Sequence, residues 1–258
     1  MKVITIANQK GGSGKTTTAA ALAAMLAADG FRVVCIDMNE QGDLTDTLNA
    51  TEGTGGALDL LAGVPALKLL RETNTPGVDL IAGGQELAAL EGKITAQGKE
   101  RALLLADALR PIRRVYRYCI IDAPGSFNTG LLNALAVSDS VVIPAQPDYY
   151  SLQGINKLVK NIRYVQQNLN PRLKIGGILL TRYQGRRNLA NNVVEVLQEA
   201  EKALGARLFA AKIRENVKVA EAPGHKQTII QYAPGSAGAD DYKAFYTEYK
   251  PIVDGKEG

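Results

Sequence analysis

The chain has 258 residues, 46% hydrophobic and 22% charged, with a net charge of +4. That length suits one large α/β domain able to bury a real core, and no low-complexity tract argues for disorder. No stretch approaches the roughly 18–20 apolar residues of a membrane span, and Met1-Lys2 leads into a short apolar run rather than a signal peptide, so a cytoplasmic location is expected.

In chain order, apolar β-branched runs alternate with longer helical patterns, the signature of βαβ units around a mostly parallel sheet. A strand is predicted over Val3–Ala7, then a Gly-rich turn and a helix through Ala19–Ala28 that ends at Gly30. Arg32–Asp37 reads as the second strand. Residues 51–100 are less regular, with helical pieces near Leu58–Leu61 and Ala66–Leu70. A helix over Glu100–Leu109 precedes the strand Tyr118–Asp122. The strand Ser140–Pro144, helix Leu152–Gln167, strand Ile175–Thr181 and helix Leu189–Leu204 follow. A strand near Leu208–Ile213 and a final helix near Asp240–Tyr249 close the pattern. The spacing predicts a single domain over 1–258, doubly wound, with a frayed tail after about residue 251. Cys35 and Cys119 each sit inside an apolar strand without metal-ligand spacing, which predicts buried, reduced thiols.

The chemistry concentrates at Lys10-Gly11-Gly12-Ser13-Gly14-Lys15-Thr16-Thr17. Strand, Gly-rich turn and helix in that order gather backbone N–H groups at the positive end of a helix. Glycines let the backbone close on phosphate oxygens, Lys15 supplies a cation for the β/γ-phosphates, and Thr16 supplies a hydroxyl for Mg²⁺. Gln9 stands where the common G-x-x-x-x-G-K-[ST] pattern has Gly. Asp122 ends a buried strand, where a carboxylate beside the loop can orient Mg²⁺ through water. ATP and Mg²⁺ are the expected cofactors, and a P-loop ATPase the expected enzyme.

Charge is divided unevenly. Residues 154–226 hold 14 Lys/Arg against 5 Asp/Glu, a net of +9, while the remainder holds 16 against 21, a net of −5. An acidic partner for the C-terminal half follows.

K-G-G-S-G-K-T-T at 10–17 resembles the deviant Walker A motif of the ParA/MinD superfamily. The resemblance continues in I-D-M-N-E-Q-G-D at 36–43, I-I-D-A-P-G-S at 120–126 and S-D-S-V-V-I-P-A-Q-P-D-Y-Y-S-L-Q-G at 138–154. It runs on through G-I-L-L-T-R-Y at 177–183 and I-R-E-N-V-K-V-A-E-A-P at 213–223, and the later segments look like the ParA/Soj partition ATPases. The family implies a nucleotide-sandwich homodimer in which Lys10 of one subunit reaches the phosphates of the other. It implies adenine contacts from Thr181, Arg182 and Asn216, and a switch at Ala123-Pro124-Gly125-Ser126. It also implies nonspecific DNA binding by Arg186 and Lys218, with Arg187, Lys212, Lys226 and Lys157 as weaker candidates, nucleoid association, and a centromere-binding adaptor of the ParB kind.

Two departures stand out. Where the family reads D-x-D-P-Q-G-N, this chain reads Asp37-Met38-Asn39-Glu40-Gln41-Gly42-Asp43, so Asn39 occupies the place of the water-orienting carboxylate. An amide positions water but cannot take its proton at neutral pH. Slow hydrolysis is expected unless Glu40 or Asp43 substitutes, which keeps a non-hydrolytic DNA clamp open as an alternative. Where the family reads I-P-R-N, this chain reads Ile213-Arg214-Glu215-Asn216, which alters the base contacts. The other alternative, a MinD-like positioning ATPase on a membrane, needs a basic amphipathic C-terminal helix. The mixed acidic and aromatic end at 240–251 argues against it. The only histidine, His225, reads as a loop residue rather than a catalyst.

Overall fold

A computed structural model describes residues 1–94, 98–184 and 205–255. Eight strands form one sheet among the described residues: β1 (Lys2–Ile6), β2 (Val33–Asp37), β3 (Leu70–Glu72), β4 (Val78–Ile81), β5 (Tyr118–Asp122), β6 (Ser140–Ala145), β7 (Lys174–Tyr183) and β8 (Leu208–Arg214). Their order is β3-β4-β2-β5-β1-β6-β7-β8, and every pairing is parallel except that of the edge strand β3 with β4.

The central strands are mostly apolar because both faces are covered. Alternate residues sort to opposite sides. Ile4, Ile6, Val33, Cys35, Ile120 and Val142 pack with the first helix (Lys15–Ala28) and the final helix (Ala237–Asp254). Val3, Val34, Ile36, Cys119 and Ile121 pack with the helix Gly98–Leu109. Val141 and Ile143 pack with the helices Thr129–Val137 and Tyr149–Asn168. Cys35 and Cys119 therefore lie in different hydrophobic clusters, fully buried and unbridged.

The predicted strands stand within a residue or two. The helix Thr129–Val137 and the strands β3 and β4 are additions that the sequence pattern does not mark. Leu70, placed at the end of a helical piece by the sequence, instead opens β3 after the 3₁₀ turn Ala66–Lys68. The final helix is longer than predicted, running from Ala237 through Pro251 to Asp254. Tyr249 and Val253, on either side of that proline, anchor its turn in the core. The predicted helix Leu189–Leu204 lies outside the described residues. No described helix is long and apolar enough to cross a membrane.

Strand order reverses around β1, whose neighbours lead toward opposite sheet edges. In such sheets ligands bind outside the carboxyl ends of the strands at that reversal. The carboxyl ends of β1, β2 and β5 bring the Gly-rich loop, Asp37 and Asp122 to one place.

Candidate nucleotide site

The loop after β1 closes through Gly12 at φ 69° and Gly14 at φ 88°, left-handed conformations that favour glycine. A Cβ on Gly14 would also meet Thr181 at 3.3 Å. The first helix starts from Gly14 with no side-chain cap and no acidic residue in its first turn. The helices at Asn128, Asp148 and Ser236 are all capped by their own side chains. An uncapped N-terminus leaves N–H groups and positive partial charge free for an anion. The side chain of Thr181 ties this loop to β7 by donating to the Ser13 carbonyl at 2.8 Å.

Lys15 is nearly buried, and among the described residues no carboxylate forms an ion pair with it. Thr16 Oγ1 donates to Asp122 Oδ2 at 2.6 Å. Asp122 Oδ1 and Ser13 Oγ are buried without a hydrogen-bond partner. Such orphaned polar groups, a hydroxyl and a carboxylate oxygen, are costly unless a ligand completes them. Asp37 stands directly across the strand pair from Asp122. It accepts from the backbone of Asn39 at 3.0 Å and from Thr45 N and Oγ1 at 2.9 and 2.8 Å. Burial, and next the Asp37 carboxylate, push the Asp122 carboxyl up to about 7, against the hydrogen bond from Thr16 and the charge of Lys15. Burial likewise raises Asp37, partly offset by its bonds from Thr45 and Asn39. Two buried carboxyls that resist ionising together are a place where a divalent cation is favourable. Among the described residues no cluster of three or more His, Cys, Asp or Glu could hold a metal alone. One hydroxyl and one carboxylate instead suit Mg²⁺ shared with phosphate oxygens and water.

A cavity of about 840 Å³ runs from this loop to the segment after β8. Of the residues expected to bind nucleotide, Gly11, Gly12, Ser13, Gly14, Lys15, Thr16, Thr17, Thr181, Arg182 and Asn216 all line it, as does Asn39. Arg182 holds a left-handed φ of 50°, rare for a side chain of its size. Gly125 of the switch segment also reaches the cavity, with Lys15 Nζ 4.0 Å from the position of a Cβ there. Asp122 is not at the wall; it lies behind Thr16 and is fully buried.

Asp43 lines the cavity, whereas Glu40 does not. Asn39 Oδ1 accepts from Gln41 N at 3.3 Å, closing the turn.

Lys10 does not face the cavity of its own chain. Its ammonium pairs with Asp148 and lies 3.3 Å from Ser151 Oγ, at the start of the helix Tyr149–Asn168. Burial raises the Asp148 carboxyl, but the bonds from Lys10 and from Ser151 N outweigh it and hold the group below its usual range. Sequence reasoning missed this partner, which lies 138 residues away. Lys218 pairs with Glu221 at 2.9 Å and sits 5.5 Å from the Tyr232 ring, outside the cavity. Arg186 and Arg187 lie outside the described residues.

A family model described as an AAA domain matches residues 1–175. The chain is 38% identical over 244 residues to the sporulation initiation inhibitor protein Soj of Bacillus subtilis, covering 93% of this chain and 95% of that one. It is 39% identical over 256 residues to the chromosome partitioning protein ParA of Myxococcus xanthus, covering 96% and 87%. Among solved structures, it is similar to a cobyrinic acid a,c-diamide synthase of Mycobacterium smegmatis with bound ADP and magnesium, at a TM-score of 0.84 and 26% identity. That match covers 100% of this chain and 97% of the other. With the uncapped P-loop helix, the Thr16–Asp122 pair and full-length similarity to Soj and ParA in agreement, the chain belongs to the ParA/Soj-like partition ATPases of the ParA/MinD superfamily.

Proposed function

We propose that this chain is a Mg-ATP-dependent dimerising switch that binds DNA nonspecifically and serves plasmid or chromosome partition in the cytoplasm, on the nucleoid, with an adaptor of the ParB kind. The observation that carries the reading is the uncapped helix end at Gly14–Lys15, with the unpartnered buried hydroxyl of Ser13 and carboxylate oxygen of Asp122 beside it. Lys15 and the loop N–H groups would hold the β- and γ-phosphates, while Thr16 and, through water, Asp122 would hold Mg²⁺. Mg²⁺ there supplies charge neutralisation to the phosphoryl oxygens. Asn39 and Asp43, at the cavity wall, are the groups available to orient an attacking water.

Lys10 acts across a dimer. In the single chain it is held by Asp148, so reaching a second subunit's phosphates requires exchanging one anion for another. Lys10→Ala is expected to abolish ATP-dependent dimerisation while leaving monomer affinity for ATP within a small factor. Light scattering with and without ATP checks this, and a dimer of normal stability in the mutant refutes the role.

DNA contacts come from Lys218 and, on the sequence reading, Arg186, with Arg187 beside it. No base-reading element accompanies them among the described residues, so phosphate contacts dominate. Changing Arg186 and Lys218 together to Ala should weaken binding on all sequences. It should also flatten the salt dependence by roughly one unit of slope for each phosphate that a subunit no longer neutralises. Wild-type affinity in the double mutant, or equal binding by apo monomer, speaks against it. A membrane role is disfavoured because the final helix directs Tyr242, Phe245, Tyr249 and Val253 into the core. The non-hydrolytic clamp stays as the second reading, favoured by Asn39 alone.

A further inference from the structure

We propose that Glu215 accepts a hydrogen bond from the amino group of a purine base, and that an ion pair between Arg214 and Asp241 holds it there. The proposal rests on the nucleotide reading above.

Phosphates seated on the Gly-rich loop send the rest of an extended nucleotide toward the far wall of the cavity, built from Arg182, Ile213, Glu215, Asn216 and Pro223. Among the described residues, Arg182 and Glu215 have no side-chain partner there, whereas Asn216 and the neighbouring Arg214 are engaged. Asn216 Oδ1 accepts from Lys218 N at 2.8 Å. The Arg214 guanidinium bonds Asp241 through Nε at 2.9 and 3.1 Å and through Nη2 at 2.7 Å. Of the two without a partner, the Arg182 guanidinium only donates, and the Glu215 carboxylate is the free acceptor. It is exposed at the cavity wall and has no side-chain hydrogen bond or ion pair among the described residues. A carboxylate only accepts, so it selects a base edge that donates.

The backbone around Glu215 is fixed rather than loose. Its N–H donates to the Tyr183 carbonyl at 3.2 Å, and the Arg214 N–H donates to Asp241 Oδ2 at 2.9 Å. A proline at 214 has no N–H and could not make the second bond. This chain thus replaces the rigidity of a ring with a clamp of backbone and guanidinium onto a side chain only 12% exposed. The neighbouring Tyr242 lines the same cavity, and its hydroxyl lies 3.3 Å from Thr18 Oγ1 on the first helix. The final helix therefore supports the cavity at both the base end and the phosphate end. Asp241 is a positioning residue and Glu215 the group it presents.

The test compares three probes by direct binding: ATP, purine ribonucleoside triphosphate lacking the 6-amine, and inorganic tripolyphosphate. Wild type should prefer ATP over the amine-free nucleotide by roughly tenfold, the low end for a hydrogen bond to a charged group at a partly open wall. Glu215→Ala should bring that ratio to within about twofold of unity, and Asp241→Asn should erode it partway, by the same scale. Tripolyphosphate affinity should be the same in all three proteins, which a general loss of structure would not allow. A preference that survives Glu215→Ala overturns the proposal. So does one removed by Asp46→Ala, another carboxylate that lines the cavity, while Glu215→Ala keeps it. Failure of wild type to bind either ATP or tripolyphosphate would sink the phosphate-site reading, and this one with it.

Discussion

Lys15→Ala is expected to lower Mg-ATP affinity by roughly 10- to 100-fold, the range for removing charge-assisted hydrogen bonds to phosphate in a partly desolvated site. Lys15 is 9% exposed and has no ion-pair partner within the described chain, so its charge is free for a ligand. Its removal also takes away a cation that favours the ionised form of Asp122. Mg²⁺ coordination should therefore weaken together with phosphate binding. The change leaves a small void beside the loop, and thermal unfolding without nucleotide separates a binding defect from a folding defect. Titration with a fluorescent ATP analogue gives the affinity. An unchanged value in a folded mutant refutes the assignment of the phosphate site.

Asn39→Asp is expected to raise steady-state ATP turnover by at least roughly tenfold. General-base assistance contributes about 10²–10⁴-fold where proton removal matters, and a dissociative phosphoryl transfer depends on it less, so the low end is expected. The substitution is nearly isosteric, and an aspartate at 39 can still accept from Gln41 N, the bond that closes this turn. It adds negative charge beside Asp37, Asp43 and Asp122, which makes Mg²⁺ more necessary but should leave ATP affinity within a small factor. The rival is Asp43, which already lines the cavity; Glu40 does not. If Asp43 performs the role, Asp43→Asn abolishes turnover and Asn39→Asp changes little. Phosphate release measured for wild type and both mutants decides between them. Robust wild-type turnover that Asn39→Asp leaves unaltered rules out the deficit.

The phosphate site was legible because its information is local. One octapeptide supplies the loop, the cation and the Mg²⁺ hydroxyl, and the strand pattern places Asp122 beside them. Strands β1, β2, β5, β6 and β7 were legible because burial on both faces writes largely apolar runs, whereas β8, half-exposed at the sheet edge, showed only through its apolar residues. The helix Thr129–Val137 was not, since it is buried nearly all round and shows no polar stripe to reveal its period. Strands β3 and β4, three and four residues long, lie in a glycine-rich stretch where pairing rather than propensity makes the strand. The partners of Lys10 and Arg214 were out of reach for a different reason. Asp148 and Asp241 are ordinary surface acids in the sequence, and only the packing of the helices that carry them brings them to those cations.

The separation of Cys35 from Cys119 has a practical consequence. Burial raises both thiols, Cys119 to about 12 and Cys35 well above its ordinary value, so neither presents a thiolate to solvent at neutral pH. The chain contains only these two cysteines. A single cysteine introduced on its surface would therefore be the one site that a maleimide dye or crosslinker modifies in the folded protein. The unaltered sequence is a ready background for fluorescence reporters of subunit association.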